Sequence, residues 1–65
     1  MSNQSDFFIF LLESYAAYRG LSGIETLKLW ESNNLIDYIN KMYEQYHIED
    51  IRNAFDDLDG YLGFN

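Results

Sequence analysis

Cysteine and proline are both absent from the 65 residues, and histidine occurs once, as His47. Without cysteine the chain has neither disulfides nor thiolate zinc sites, and a single imidazole cannot build a histidine cluster. Small domains are often stabilised by disulfides or a bound metal ion, so dense packing or assembly with another chain must stabilise this one. We therefore predict no metal and no cofactor.

Basic residues are also scarce, because eleven acids face four Lys and Arg residues and the net charge is -7. Binding to nucleic acid or to an anionic membrane needs a high density of basic residues, so we predict neither. Long apolar runs are missing too. The run Phe7–Leu12 follows Asp6 and is too short for a membrane span or a signal peptide, which predicts a cytoplasmic protein.

Aromatic residues, in contrast, are abundant, with six Tyr, five Phe and one Trp. Such side chains dominate the energetics of both cores and interfaces. No segment alternates with the two-residue period of a strand. The sequence predicts an all-α fold, a compact bundle of four short helices. It forms a single helical domain, 1–65, with a disordered start at residues 1–4 and a short apolar tail at 61–65.

The first two predicted helices, 6–19 and 23–31, have clear capping residues. Ser5 is a suitable N-cap for the first, and Gly20 is suited to its C-terminal end. Ser22 and Glu25 match a capping box at the start of the second. Its buried stripe is predicted to contain Ile24, Leu27 and Trp30, with Leu29 on the far side.

Two further helices are predicted over residues 35–46 and 49–58. One residue of the pair Asn33-Asn34 is expected to cap the third helix, and Gly60 is expected to end the fourth. The centres of the four apolar stripes predict the core. Its members are Phe8, Leu11, Tyr15, Trp30, Ile39, Tyr43, Ile51 and Phe55.

The first helix has a second apolar face, away from its core-facing arc. At about 100° per residue, Ile9, Phe10 and Ala17 point outward, with only Glu13 among them. This face needs a cover, either the tail 61–64 or another chain. We favour another protein, because contiguous apolar patches commonly mark interaction sites. Ile9, Phe10 and Glu13 are therefore predicted partner-binding residues.

The C-terminal part is strongly acidic. From Glu44 onward, six acids face a single arginine: Glu44, Glu49, Asp50, Asp56, Asp57 and Asp59 face Arg52. A solvated surface is the simplest interpretation of such a run. Alternatively, the run meets a basic partner surface, and on that hypothesis Glu49, Asp56 and Asp57 are partner-binding residues.

No catalytic site is predicted. Nucleophilic catalysis needs an activated nucleophile beside an oriented base, and His47 is the one histidine. It lies at a predicted helix end, where capping of carbonyl groups is its expected role. Asp56 and Asp57 diverge by about 100° around their helix, so they do not form a carboxylate pair. The chain is therefore not expected to be an enzyme.

Taken together, several segments show a resemblance. They are Phe7-Phe-Ile-Phe-Leu-Leu-Glu-Ser-Tyr15, Gly20-Leu-Ser-Gly-Ile-Glu25, a helix centred on Trp30, Leu35-Ile-Asp-Tyr-Ile39 and Met42-Tyr-Glu-Gln-Tyr-His47. This order resembles a widespread bacterial family of short proteins classed only as a domain of unknown function. Its members are often encoded beside an ADP-ribosyltransferase-like toxin. The resemblance implies an antitoxin or immunity role, and it supplies no catalytic residues.

Three functions remain open at this point. The first is a non-enzymatic protein-binding module, an antitoxin-like inhibitor that neutralises a toxin-like enzyme or another effector protein. The second is a structural or regulatory protein that works by self-association. The third is an acidic mimic of nucleic acid that blocks a basic groove.

Overall fold

In the computed structural model, residues 3–64 are described, and this range contains five α-helices and no β-strand. The helices are α1 (Gln4–Arg19), α2 (Gly23–Ser32), α3 (Leu35–Lys41), α4 (Tyr43–Tyr46) and α5 (Ile51–Leu62). The predicted all-α bundle is confirmed. It has five helices instead of four because the third predicted helix is interrupted, and α4 is a single turn.

The first helix begins earlier than predicted. The Asn3 side chain caps it by accepting a hydrogen bond from the Asp6 backbone N–H at 2.9 Å, so the predicted cap at Ser5 is wrong. The longer helix lets Gln4 donate a hydrogen bond to the carbonyl of Asn40 at 3.0 Å. Of the predicted start, Asn3 is the N-cap of α1 and Gln4 its first residue, whereas residues 1, 2 and 65 of the predicted start and tail lie outside the described residues.

The second helix starts as predicted but buries a different face. The Ser22 hydroxyl accepts from the Glu25 backbone and the Glu25 carboxylate accepts from the Ser22 backbone, which confirms the capping box. Thr26 and Trp30 are buried, while Ile24 is 69 % and Leu27 38 % exposed. The helix is turned by about a quarter turn from the predicted stripe.

Two details explain this rotation of α2. Thr26 can be buried because its hydroxyl donates a hydrogen bond to the Ser22 carbonyl at 2.9 Å. Trp30, the largest side chain, has no exposed surface and packs edge-on against Phe8 with 5.7 Å between ring centroids. Leu29, predicted on the far side, is half-buried.

The third predicted helix bends at Met42. The Met42 backbone N–H contacts the carbonyls of both Tyr38 and Ile39, and the chain leaves helical geometry there. Asn34 precedes α3 with a left-handed φ of 59° and no side-chain capping bond, a conformation that asparagine tolerates. The bend corrects the prediction of one helix over 35–46, and it accompanies complete burial of Tyr46 after it.

The last helix is shifted toward the C-terminus. Asp50 caps α5 by accepting from the Arg52 backbone N–H at 3.0 Å. The helix then passes through Gly60 and ends at Gly63, whose φ is 77°. The prediction that Gly60 ends the helix is wrong, because Asp59 and Leu62 on either side of it are held against the rest of the fold. Part of the predicted tail is therefore helical.

The core is built from one face of each helix. Its buried members are Phe7, Leu11, Tyr15, Trp30, Leu35, Ile39, Tyr46, Ala54, Phe55 and Leu58. Of the eight predicted core residues, five are buried, and Phe8, Tyr43 and Ile51 pack against them partly buried. The Tyr15 ring packs against the rings of Trp30 and Phe55, with 5.8 and 5.7 Å between ring centroids. Through these contacts α1 connects α2 to α5.

Candidate functional site

The outer face of α1 is the candidate site, and it consists of Ile9, Phe10, Glu13 and Ala17. All four are exposed, Ile9 to 53 % and Phe10 to 46 %. The opposite side of the helix carries the buried residues, so this face is the second apolar side predicted from the sequence. Phe10 is steadied by its own helix, because its ring lies 6.4 Å from that of Phe7.

The C-terminal tail does not cover this face. Phe64 packs on the guanidinium of Arg19, 4.5 Å from Cζ to the ring centroid, and Tyr61 packs edge-on against Tyr38. Arg19 lies nine residues beyond Phe10 on the same helix, which is about 14 Å along its axis. The alternative prediction, that the tail 61–64 covers Ile9 and Phe10, is therefore wrong.

Glu13 lies at the middle of the outer face, and the exposed Asp6 lies on the same side of α1 nearer its N-terminus. Within the described range 3–64, no side chain forms a hydrogen bond or an ion pair with its carboxylate. Its neighbours on α1, at spacings of three and four residues, are Ile9, Phe10, Ala16 and Ala17. The face therefore presents an unpaired carboxylate surrounded by apolar side chains.

The three predicted acidic contact residues are spread over different places. Glu49 lies in the loop before α5, where its carboxylate accepts a long hydrogen bond from Gln45 at 3.4 Å. Asp57 accepts one from the buried Tyr46 hydroxyl at 2.9 Å. Asp56 is exposed on α5. Asp56 and Asp57 therefore belong to α5, whereas Glu49 precedes that helix and Glu13 belongs to α1.

Asp59 was grouped by sequence with the solvated acids, and the structure corrects this. It is 4 % exposed, and its carboxylate accepts hydrogen bonds from Tyr15 at 2.7 Å and Tyr18 at 2.9 Å. Arg19 forms an ion pair with it at 2.8 Å. The cluster connects α5 to the C-terminal half of α1 through hydrogen bonds and an ion pair. It is an exception to the rule that charged residues are exposed and buried residues are apolar.

A sequence signal for this cluster exists. Asp59 follows Phe55 by four residues, so it lies on the same inward side if the helix continues past Gly60. Because the helix was predicted to stop before Gly60, Asp59 was not placed on the inward side. Arg19 lies in the last turn of α1 and supplies the cation of this cluster.

The cluster perturbs the ionisation of its members. Burial alone would raise the pKa of Asp59, but hydrogen bonds from Tyr15, Arg19 and Tyr18 outweigh it and hold the pKa below its usual value. Burial, together with the hydrogen bond to Asp59, raises the pKa of Tyr15 to about 12. The hydrogen bond to Asp59 also raises the pKa of Tyr18.

These shifts predict a loss of stability at high pH. Tyr15 has a pKa of about 12 in the fold and about 10 in an unfolded chain, so the unfolded state loses its proton first. The free energy of unfolding of the wild type should therefore fall as the pH rises from about 10 to about 12. The free energy of unfolding of Tyr15→Phe should fall less steeply over the same range. Urea unfolding across this pH range measures it, with Tyr43→Phe as a control outside the cluster. Equal slopes for Tyr15→Phe and the wild type would contradict the assignment.

Other chemistry-bearing groups have structural neighbours. The His47 ring stacks on Tyr43 at 4.5 Å, and its Nδ1 lies 2.8 Å from the Tyr43 carbonyl oxygen. This is the helix-end contact predicted for it. Among residues 3–64, no three His, Asp or Glu side chains form a group that could hold a metal ion. No helix in that range is long and apolar enough to cross a membrane.

Comparison with protein-family models matched residues 6–63 to a family described as a protein of unknown function (DUF3791). Comparison with curated proteins gave no match, and neither did comparison with solved structures. The matched range runs from the first turn of α1 to the end of α5 and includes the whole outer face of α1. The resemblance to a domain of unknown function is thereby confirmed. The chain belongs to the DUF3791 family.

Proposed function

We propose that this chain is a non-enzymatic protein-binding module that contacts its partner through the outer face of α1. The observation that carries the proposal is the exposure of Ile9 and Phe10 side by side on a helix whose other side is fully used by the core. Exposed contiguous apolar patches commonly mark interaction sites, and a few large buried side chains supply most of the energy of an interface.

The finer proposal is that binding neutralises the partner. The resemblance to bacterial proteins encoded beside ADP-ribosyltransferase-like toxins supports an antitoxin or immunity role in the cytoplasm, with a toxin-like enzyme as the expected partner. The acidic surface adds support, because an excess of negative charge accelerates association with a basic protein surface.

Phe10→Ser tests the contact. We expect the affinity for the partner to fall by at least about tenfold, since truncation of an anchoring side chain typically costs about 2 kcal/mol or more of binding energy and about 1.4 kcal/mol corresponds to tenfold. The helical circular dichroism signal should be nearly unchanged, because Phe10 is half exposed. The partner is recovered from the native host, purified and titrated by calorimetry.

Ile24→Ser is the matched control for that experiment. Ile24 is an exposed aliphatic residue on α2, so its replacement removes apolar surface outside the proposed site and should leave the affinity unchanged. Equal affinity of Phe10→Ser and wild type would contradict the proposal. Inhibition of the partner's activity by wild type, and loss of that inhibition in Phe10→Ser, would test the neutralising role.

The acids of α5 carry a separate prediction about association rate. Asp56→Asn should slow association with a basic partner a few-fold at low ionic strength and weaken its salt dependence, because charges at the rim act mainly on the on-rate. Stopped-flow mixing at low and physiological salt measures the rate. Asp37→Asn, on α3, removes the same charge elsewhere. Rates that are the same for Asp56→Asn and wild type at low salt would show that Asp56 is only solvated.

A further inference from the structure

The chain uses half of its few basic residues internally. Arg19 pairs with Asp59 at 2.8 Å, and Arg52 pairs with Asp50 at 2.7 Å. The two lysines lie on α2 and α3, and both are exposed. No basic side chain belongs to the outer face of α1, so the cation that Glu13 lacks cannot come from that face.

Any protein that covers Ile9 and Phe10 must also cover Glu13. Glu13 lies four residues after Ile9 and three after Phe10, so the three side chains are neighbours on one helix surface. A carboxylate removed from water without a cation or a hydrogen-bond donor is costly. The occupant of this face must therefore supply a cation or a hydrogen-bond donor opposite Glu13, and on a chain this acidic a cation also gains from the overall charge.

A second copy of this chain does not meet that requirement. A symmetric contact uses the same patch on both copies, so it would bring the two Glu13 side chains toward each other with no basic residue from either face. It would also join two chains that each carry a net charge of -7. Like charges placed opposite each other at an interface act against association.

The shape of the face indicates the form of the occupant. From Ile9 to Ala17 the face spans nine residues of α1, and the eight rises between them at about 1.5 Å each extend about 12 Å. Such a ridge is suited to packing against a second helix over about two turns. Recognition of an amphipathic helix by apolar anchors is a recurring mode of protein binding.

We infer that the outer face of α1 binds an amphipathic helix of another protein that carries a lysine or arginine among its apolar side chains. The apolar side chains cover Ile9 and Phe10, and the cation pairs with Glu13. The inference rests on the proposed function and adds the chemistry of the partner. The partner is a different protein, and it is basic where it contacts Glu13.

A pair of synthetic peptides provides the test. One is an amphipathic leucine and lysine helix of about four turns, roughly 14 residues, and the other has glutamate in place of every lysine. Titrations followed by backbone amide NMR shifts should place the lysine peptide on residues 9–17, and the glutamate peptide should not bind. Glu13→Lys should lower the affinity for the lysine peptide by about tenfold or more, and it should allow the glutamate peptide to bind.

Asp37→Lys is the matched control, because it makes the same change in net charge at an exposed acid on α3. It should weaken the lysine peptide much less than Glu13→Lys does. Equal losses in both variants would show attraction by net charge alone and would overturn the inference. A concentration-dependent dimer in analytical ultracentrifugation that Phe10→Ser abolishes would overturn it too, because the occupant would then be a second copy.

The native partner separates this inference from the proposed function. If Phe10→Ser weakens the purified partner but Glu13→Lys does not, the protein-binding function stands and the requirement for a cation is wrong. If neither variant affects the partner, the proposed site itself is wrong. Loss in both variants, with Asp37→Lys unaffected, supports the proposed function and the inference together.

Discussion

Asp59→Ala should lower the free energy of unfolding by about 1–3 kcal/mol, the range found when a buried hydrogen-bonding group is left without its partner. The substitution leaves the Arg19 guanidinium and two tyrosine hydroxyls, on Tyr15 and Tyr18, without their shared acceptor. Domains have about 0.05–0.15 kcal/mol of stability per residue, so this loss is a large share of the total.

Urea unfolding followed by fluorescence of Trp30, the single tryptophan, measures this effect. Asp56→Ala is the control, since it removes an exposed acid from the same helix and should change stability by about 0.5 kcal/mol at most. Should Asp59→Ala fail to fold, Asp59→Asn keeps an acceptor oxygen and gives a measurable midpoint. An unfolding midpoint for Asp59→Ala equal to that of wild type would show that the cluster does not stabilise the fold.

The same carboxylate predicts sensitivity to acid. The pKa of Asp59 is lowered in the fold, so its contribution to stability is present above the pKa of an unfolded aspartate, about 3.9. This contribution is lost as the pH falls through the lower folded pKa, because the unfolded state takes up the proton first. Asp59→Asn should therefore show a shallower loss of stability below that pH than wild type.

Trp30→Ala is the other change with a large expected effect, about 3–5 kcal/mol. Trp30 has no exposed surface and lies between Phe8 and Tyr15, with ring centroids at 5.7 and 5.8 Å. Its loss removes the ring contacts between α1 and α2 and leaves a cavity there. Thermal unfolding followed by circular dichroism measures the change.

Trp30→Phe refines that experiment. The indole N–H has no hydrogen-bond partner among residues 3–64, so phenylalanine loses ring volume but no hydrogen bond. A distinctly smaller loss of stability than for Trp30→Ala is expected, and this variant stays measurable if the alanine variant does not fold. Ile24→Ala, on the exposed side of α2, is the control. A melting temperature of Trp30→Ala close to that of the control would contradict central packing of the ring.

Local signals predicted much of this fold correctly. The capping box of Ser22 and Glu25 was recognised because its two hydrogen bonds depend on residues three positions apart. Gly20 was assigned to the end of α1 because a left-handed residue is needed there. The exposed site residues Ile9, Phe10 and Glu13 follow from angular position around one helix. Their outward direction was predicted because a helix apolar on two sides can turn only one of them to a core this small.

The wrong predictions share a different cause. Ile24 and Leu27 were assigned to the core because the sequence shows which residues of α2 are apolar, but the rotation of the helix is set by how Trp30 fits against α1. Gly60 was assigned to a helix end by its own preference, although contacts of Asp59 with α1 and of Leu62 with the core continue the helix. Neither outcome is contained in a local window of sequence.

The sequence by itself determined the helical class, the capping box of α2, the glycine that ends α1 and the second apolar face of α1, because these depend on residues within a few positions of one another. Only the tertiary structure decided that Asp59 is buried, that the chain bends at Met42 and that Phe64 packs on Arg19 instead of covering Phe10. Each of these depends on side chains brought together from distant parts of the chain, where packing volume and the pairing of buried charge outweigh local preference.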